Sequence, residues 1–415
     1  MTQIASSPAT TPAATGPTTG PSARIRVTLL VLSALTIMAG ATISPALPAM
    51  QAHFAGVANA NLLVKLALTI VGLAIAVSAP LSGVLADRFG RRPVLIWSLL
   101  LYAVGGASGL IVTSLGALLL GRVILGLAVA GTMTASGALI NDLFSGQARG
   151  KFLSQQAAFN GFGGAVLLPL GGVLAAVGWR APFALYLIAL LLLPLVLRLP
   201  AGVPEIQVAA AADEKPNWRL IGLVYALALL YMLAFYLMPA QGPFLLRFLG
   251  VAPAATGLVL GGFTLVAALT SLSYSRLAGR FDARRVAALG FVLLSAGWVI
   301  VSQASTVGGV VPGLLVGGLG SGLVFPNLYA WLADITPAAW RGRVTAGMSS
   351  AVFLGQFLSP LVLTSPAAHP ALGYTWGALM AGVVGALLLG YSFFGRREKA
   401  DAGAIGQHAD LGLDG

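Results

Sequence analysis

Twelve runs of about twenty apolar residues, at 27–48, 61–83, 94–113, 117–140, 152–175, 181–199, 218–238, 254–276, 286–304, 309–332, 344–363 and 373–394, constrain this chain more than anything else in it. A helix crossing the hydrocarbon of a bilayer needs about 20 such residues. With no water there to satisfy the main chain, each run has to close its own hydrogen bonds, and these lengths do so as helices. The expectation is an all-α membrane protein with twelve transmembrane helices, arranged six plus six. Composition agrees: 8% of residues are charged and mean hydropathy is +0.93, whereas soluble chains carry about 25% charge.

Charge then gives each run a direction. The chain is basic, at +12, which raises nucleic acid as a partner, yet the basic residues form no continuous face. If the helices alternate, all 23 lysines and arginines except Lys65, Arg122, Arg180 and Arg247 fall on one side or in the termini. That is the positive-inside pattern, so both termini are expected in the cytoplasm and the protein in the inner (plasma) membrane, with the lipid bilayer rather than nucleic acid as its partner.

The tail 1–23, rich in Ser, Thr, Ala, Pro and Gly, is expected to be disordered. A cleavable signal peptide is the competing reading of the first apolar run. That run is longer than the 7 to 15 residues of a signal core, so it is read as a retained helix. The polar stretch 200–217 is the linker between bundles 24–199 and 218–394, and 395–415 is a cytoplasmic tail expected to lack order.

Between the second and third runs lies Gly83-Val84-Leu85-Ala86-Asp87-Arg88-Phe89-Gly90-Arg91-Arg92. Its Leu-Ala-x-Arg-Phe core returns at Leu277 to Phe281, 192 residues on. A second loop pair keeps the same offset: Asp142 and Arg149 correspond to Asp334 and Arg341. Two unrelated loops sharing one offset indicate a duplicated half. The loop resembles the signature of the major facilitator superfamily, Gly-x-x-x-Asp-Arg-x-Gly-Arg-Arg, matched at Gly83, Asp87, Arg88, Gly90, Arg91 and Arg92. The resemblance extends over about residues 24 to 397 and points toward the drug and metabolite efflux branch of that superfamily.

That resemblance implies two bundles that rock about a central pocket, with the loop as gate. Asp87 is expected near the start of helix 11, Arg91 or Arg92 to pair with Asp142, and Arg149 to complete the set. Gly83 is expected to allow close helix approach and Gly90 a tight turn. In the second copy Gly279 replaces Asp87 and Ser275 replaces Gly83, so a weaker latch is expected there, built from Asp282, Arg284, Asp334 and Arg341.

Within the membrane, Arg122 breaks the repeat, its counterpart being Leu314. A mid-helix arginine costs about 2.5–3.5 kcal/mol to insert and marks a functional position. The resemblance carries a proton-coupling or substrate role to it. Lys65, nearer the outer rim, is read as snorkelling to the interface. All eleven acidic residues fall in loops, tails or helix ends, so a cationic cargo finds no counter-charge inside and proton coupling has no obvious carrier. The proposed pocket lining is Asn160, Tyr231, Tyr236, Gln241, Asn327 and Gln356, with Tyr329 and Trp331 as further aromatics.

The expected function is secondary active transport of small organic molecules by alternating access. Efflux is favoured, with proton antiport a candidate, and uptake of a neutral or anionic metabolite is the alternative. A membrane-embedded enzyme is the remote alternative: zero cysteines and three scattered histidines, His53, His369 and His408, supply no metal site and no catalytic residue. No cofactor is expected. The expected partners are a small-molecule cargo, lipid and a proton, and the chain is taken to act as a monomer.

Overall fold

The computed structural model describes residues 22–144, 146–200, 215–363 and 370–410. Nearly all of tail 1–23 and of linker 200–217 therefore lies outside the described residues, as do Glu205, Asp213, Glu214 and His369. Among the described residues, eleven helices are long and apolar enough to cross a membrane: α1 Ala23–His53, α2 Ala60–Phe89, α3 Arg91–Leu110, α4 Leu115–Leu143, α5 Gln147–Val177, α7 Trp218–Phe248, α8 Pro253–Ala278, α9 Ala283–Gln303, α10 Val307–Asp334, α11 Arg341–Val362 and α12 Leu372–Tyr391. The twelfth, α6 Ala181–Val196, is shorter and begins as a 3₁₀ helix over Ala181–Leu187, with Pro182 in its first turn. No strand occurs among the described residues. The last helix continues to Asp410, through the stretch after Gly395 expected to be without order. Its Arg-Arg-Glu-Lys-Ala sequence consists of good helix formers, which propagate a helix already begun.

The duplication is visible in packing as well as in loops. A Cβ at Gly126 in α4 would sit 2.7 Å from the Val71 carbonyl oxygen of α2, and one at Gly318 in α10 would sit 2.8 Å from that of Phe263 in α8. The glycines and the carbonyls they approach are both 192 residues apart. Gly105 and Gly297, also 192 apart, press against Gly121 and Gly313 in the same manner. Lipid gives no hydrophobic drive for helices to meet, so close backbone approach through small residues is what holds such a bundle together.

Each half opens with a broken helix. α1 stops at Ala41, runs through a 3₁₀ turn at Ser44–Ala46 and restarts at Leu47; α7 breaks at Tyr236, 192 residues after Ser44. In α1 the cause is local, since Pro45 cannot donate to the ladder. The breaks meet: the Ser44 hydroxyl donates to the Pro239 carbonyl at 2.6 Å.

Gly126→Ala is expected to lower the melting temperature of the purified protein, because its methyl would lie 2.5 Å from the Ala74 Cβ as well as against Val71, an overpacking cost of about 1–3 kcal/mol. Gly137→Ala, in the same helix with nothing within 4 Å, is the control and leaves stability equal or higher.

Candidate functional site

The two halves touch along an uneven seam. α5 and α8 are in backbone contact at Gly172, whose Cβ would lie 2.6 Å from the Pro253 carbonyl oxygen, and at Gly257, 2.5 Å from that of Leu168. Gly161 and Ala268 form a looser contact farther along the pair. α2 meets α11 at Gly72, 2.8 Å from the Phe353 carbonyl oxygen and 3.0 Å from the Gln356 side chain. The Tyr236 hydroxyl lies 2.9 Å from the position of a Cβ on Gly40. These contacts lie in the middle of the spans and toward the far face, the one opposite the basic loops. Toward the basic face, among the described residues, no ion pair joins the halves, and Gly342 at the start of α11 has nothing within 4 Å of its Cβ position.

The charged loop stays within its own half. Gly90 is the whole turn between α2 and α3, with φ +91°, a conformation that favours glycine. This tight turn places Arg91 at the head of α3, nearly buried, where its Nε lies 3.1 Å from Asp142 at the end of α4. Asp87 lies 3.6 Å from the same guanidinium, but its side chain is 75% exposed. Such an exposed pair contributes about 0–1 kcal/mol. Arg88 stacks on Phe89, and Arg92 and Arg149 form no ion pair among the described residues. The expected contact of Asp87 with the start of α11 is not formed in this conformation. The expected close approach at Gly83 is absent too, its Cβ position meeting only Thr134 at 3.8 Å. In the second half Asp282, Arg284, Asp334 and Arg341 form no ion pair among the described residues, and Arg284 instead covers the Tyr391 ring at 4.6 Å.

Arg122 is fully buried within the N-terminal half. The break in α1 leaves the Ala39 carbonyl to side chains, and Arg122 Nη2 and the Tyr186 hydroxyl both donate to it. Arg122 Nε donates to the Ala67 carbonyl at 2.9 Å, while its guanidinium lies 5.1 Å from the Tyr186 ring centroid. Nη1 has no hydrogen-bond partner, and no carboxylate lies within ion-pair distance among the described residues. This is a charge held by carbonyl dipoles and ring faces rather than by an anion.

The pocket candidates separate into groups. Asn327 is occupied structurally, accepting from the Tyr274 hydroxyl at 3.3 Å and donating to the Ala283 carbonyl at 2.8 Å. Tyr231 shares a 2.6 Å hydrogen bond with Ser321, and Gln241 donates to the Pro370 carbonyl at 3.1 Å. Gln356 is buried in the α2–α11 seam. Of the candidates, Tyr236 and Asn160 stay partly exposed, Asn160 with an Oδ1 that lacks a hydrogen-bond partner. An aromatic chain runs beside Tyr236: Phe235 at 5.8 Å, then Tyr231, Phe325 and Tyr329, with Phe325 38% exposed; its tyrosines are among the sequence candidates, whereas Phe235 and Phe325 are not. For Phe325 the available signal in the sequence was the Phe-Pro pair before Asn327.

Lys65 corrects the snorkelling expectation. It is 3% exposed, with its amine 5.2 Å from the centroid of Phe244 on α7 of the other half. α7 continues to Phe248, beyond the run of 218–238, and so covers it.

The profile of the Major Facilitator Superfamily matches residues 29–235 and again 223–411, one match for each half. The chain belongs to this superfamily. Among its relatives, the class C tetracycline resistance protein of Escherichia coli is 27% identical over 75% of this chain and 80% of its own length. The putative niacin/nicotinamide transporter NiaP of Bacillus subtilis is 30% identical over 37% of this chain and 38% of its own. The crystal structure of a D-xylose-proton symporter superimposes with a TM-score of 0.76 at 18% identity, covering 88% of this chain and 96% of that one. As a superfamily member the protein is a multi-pass transporter and not an enzyme.

Asp142→Asn is expected to destabilise the protein by about 1–3 kcal/mol, since the nearly buried Arg91 loses its close charged partner. Asp87→Asn should cost under about 1 kcal/mol. Thermal melts of both variants in one detergent measure the difference.

Proposed function

We propose that this superfamily member exports small organic molecules by alternating access. The observation that carries the reading is the uneven seam, with backbone contact between the halves from mid-span to the far face and, among the described residues, no ionic link between them at the basic face. The basic face is cytoplasmic, in the inner (plasma) membrane, by the positive-inside rule. This conformation is then the one open to the cytoplasm. Cargo meets the aromatic chain Phe235, Tyr236, Phe325 and Tyr329, together with Asn160, and the interior without acids suits neutral, lipophilic or anionic molecules. Arg122 provides the positive field at the bottom of this pocket, as a cargo or coupling residue.

The gate closes when Asp87 reaches the start of α11, where a carboxylate gains about 0.3–1 kcal/mol from the helix dipole. Arg88, Arg91, Arg92, Asp142 and Arg149 position that hairpin, and Asp334 and Arg341 form the looser counterpart in the second half. Export draws support from the tetracycline resistance relative and from the efflux pump dotC of Dothistroma septosporum, which is 38% identical over 27% of this chain and 18% of its own length. The putative niacin/nicotinamide transporter gives support to a second reading, uptake of a neutral or anionic metabolite.

Strains that overproduce or lack the protein separate these readings: export alters tolerance to a toxic compound, whereas uptake removes growth on a nutrient. A compound that stabilises the purified protein thermally is then followed in liposomes, with and without a pH gradient. Asp87→Asn should insert normally, shift the protein toward the cytoplasm-open form and reduce flux at least tenfold. Flux at the wild-type rate would remove the gate assignment.

A further inference from the structure

Among the charged side chains inside the spans, Lys65 differs from Arg122 in what encloses it. Arg122 is held by carbonyls of its own half, so parting the halves leaves those bonds in place. Lys65 belongs to α2, while the ring over its amine, Phe244, belongs to α7 of the other half. The other half therefore supplies part of the cover over its amine. No carboxylate lies within ion-pair distance of it among the described residues.

The titratable and charged groups on the helices around it do not supply one. His53, at the end of α1, packs against Phe54 and Trp179. Arg122 on α4 is held by Ala39 and Ala67. On α7, Arg247 is exposed and Tyr236 faces Gly40. The charges of α11, Arg341 and Arg343, lie at its basic end.

We propose that Lys65 is a proton-operated latch of the far mouth: the halves close over it as a neutral amine, and a proton taken up from the far side holds them apart. An ammonium enclosed without an anion loses hydration that a single ring face does not replace, so the charged form favours whichever conformation wets it. That conformation is the one in which Phe244 has moved away with its half. The proton comes from far-side water as the mouth opens and returns there as it shuts, so none crosses the membrane by this step. The latch rests on the alternating-access reading above, and it acts by positioning the halves rather than by touching cargo.

The chain has no cysteine, so spin labels can be placed in pairs without removing any. Ala58→Cys with Ser305→Cys reports the far mouth, and Gln147→Cys with Arg280→Cys reports the basic one. Distances are measured by double electron–electron resonance on the full chain in lipid nanodiscs across an acid-to-alkaline titration. In the otherwise wild-type protein the far pair should lengthen and the basic pair shorten as pH falls. Lys65→Met should hold the short far distance at every pH, and Lys65→Arg, whose charge is permanent, should favour the long one throughout.

A pH shift that survives in Lys65→Met, or a far distance that ignores pH in the wild type while both pairs still show two populations, overturns the latch alone. If neither pair shows a second population at any pH or with a stabilising cargo, the alternating-access reading falls and the latch with it.

Discussion

Contact between helix backbones, made where a glycine has no side chain to hold them apart, is the constraint on which this structure depends. In hydrocarbon, apolar side chains gain little by leaving lipid for protein, so attraction between spans has to come from short-range dispersion at close approach. The same device appears within each half, at Gly105, Gly126, Gly297 and Gly318, and between halves, at Gly72, Gly172 and Gly257. The difference lies in what surrounds it. Inside a half the glycine contacts are reinforced by polar bonds such as the buried one from Tyr102 to the Leu35 carbonyl and the part-buried one from Ser295 to the Ala378 carbonyl. Across the seam the glycines have far less of that support, so the contact there can be broken and remade.

Charge is distributed by the same economy. Asp87, Asp142 and Asp334 stay in the last turns of their helices, at the basic face where water and arginines can meet them. Arg122, buried within the spans, is held by main-chain oxygens and aromatic faces. Arg122 takes the carbonyl left by the break in α1, so an interruption forced by Ser44-Pro45 gives a guanidinium an acceptor without an acid nearby. The last helices of the two halves use tyrosines in a similar way, Tyr186 on Ala39 and Tyr374 on the Leu237 carbonyl, each tying a broken first helix to its own bundle.

Length, spacing and charge were the legible properties. The run lengths showed twelve spans and the 192-residue offset showed the two halves, because both depend on position along the chain; the pairing of Asp142 with Arg91 or Arg92 came from the family resemblance, and the structure selects Arg91. Direction around a helix axis was not legible, since spans that are apolar on every side carry no periodic signal to orient them. Hence Asn327 and Tyr231, expected to line a pocket, turn out to hold their own bundle together, while Phe235 and Phe325 face the aromatic chain unannounced. Lys65 was misread for a related reason: depth along α2 was readable, whereas the cover supplied by the extension of α7 to Phe248 was not.

The turn between α2 and α3 has a mechanical consequence. One residue, Gly90, in a conformation with little latitude for its neighbours, joins a helix of 30 residues to the next. A hinge that short has no slack, so α3 must travel wherever α2 is pushed. α3 is in turn keyed into α4 at Gly105. Pro80 interrupts the ladder of α2 between Gly72 and Gly90, so a nudge delivered at Gly72 reaches this turn through a helix with a built-in bend point.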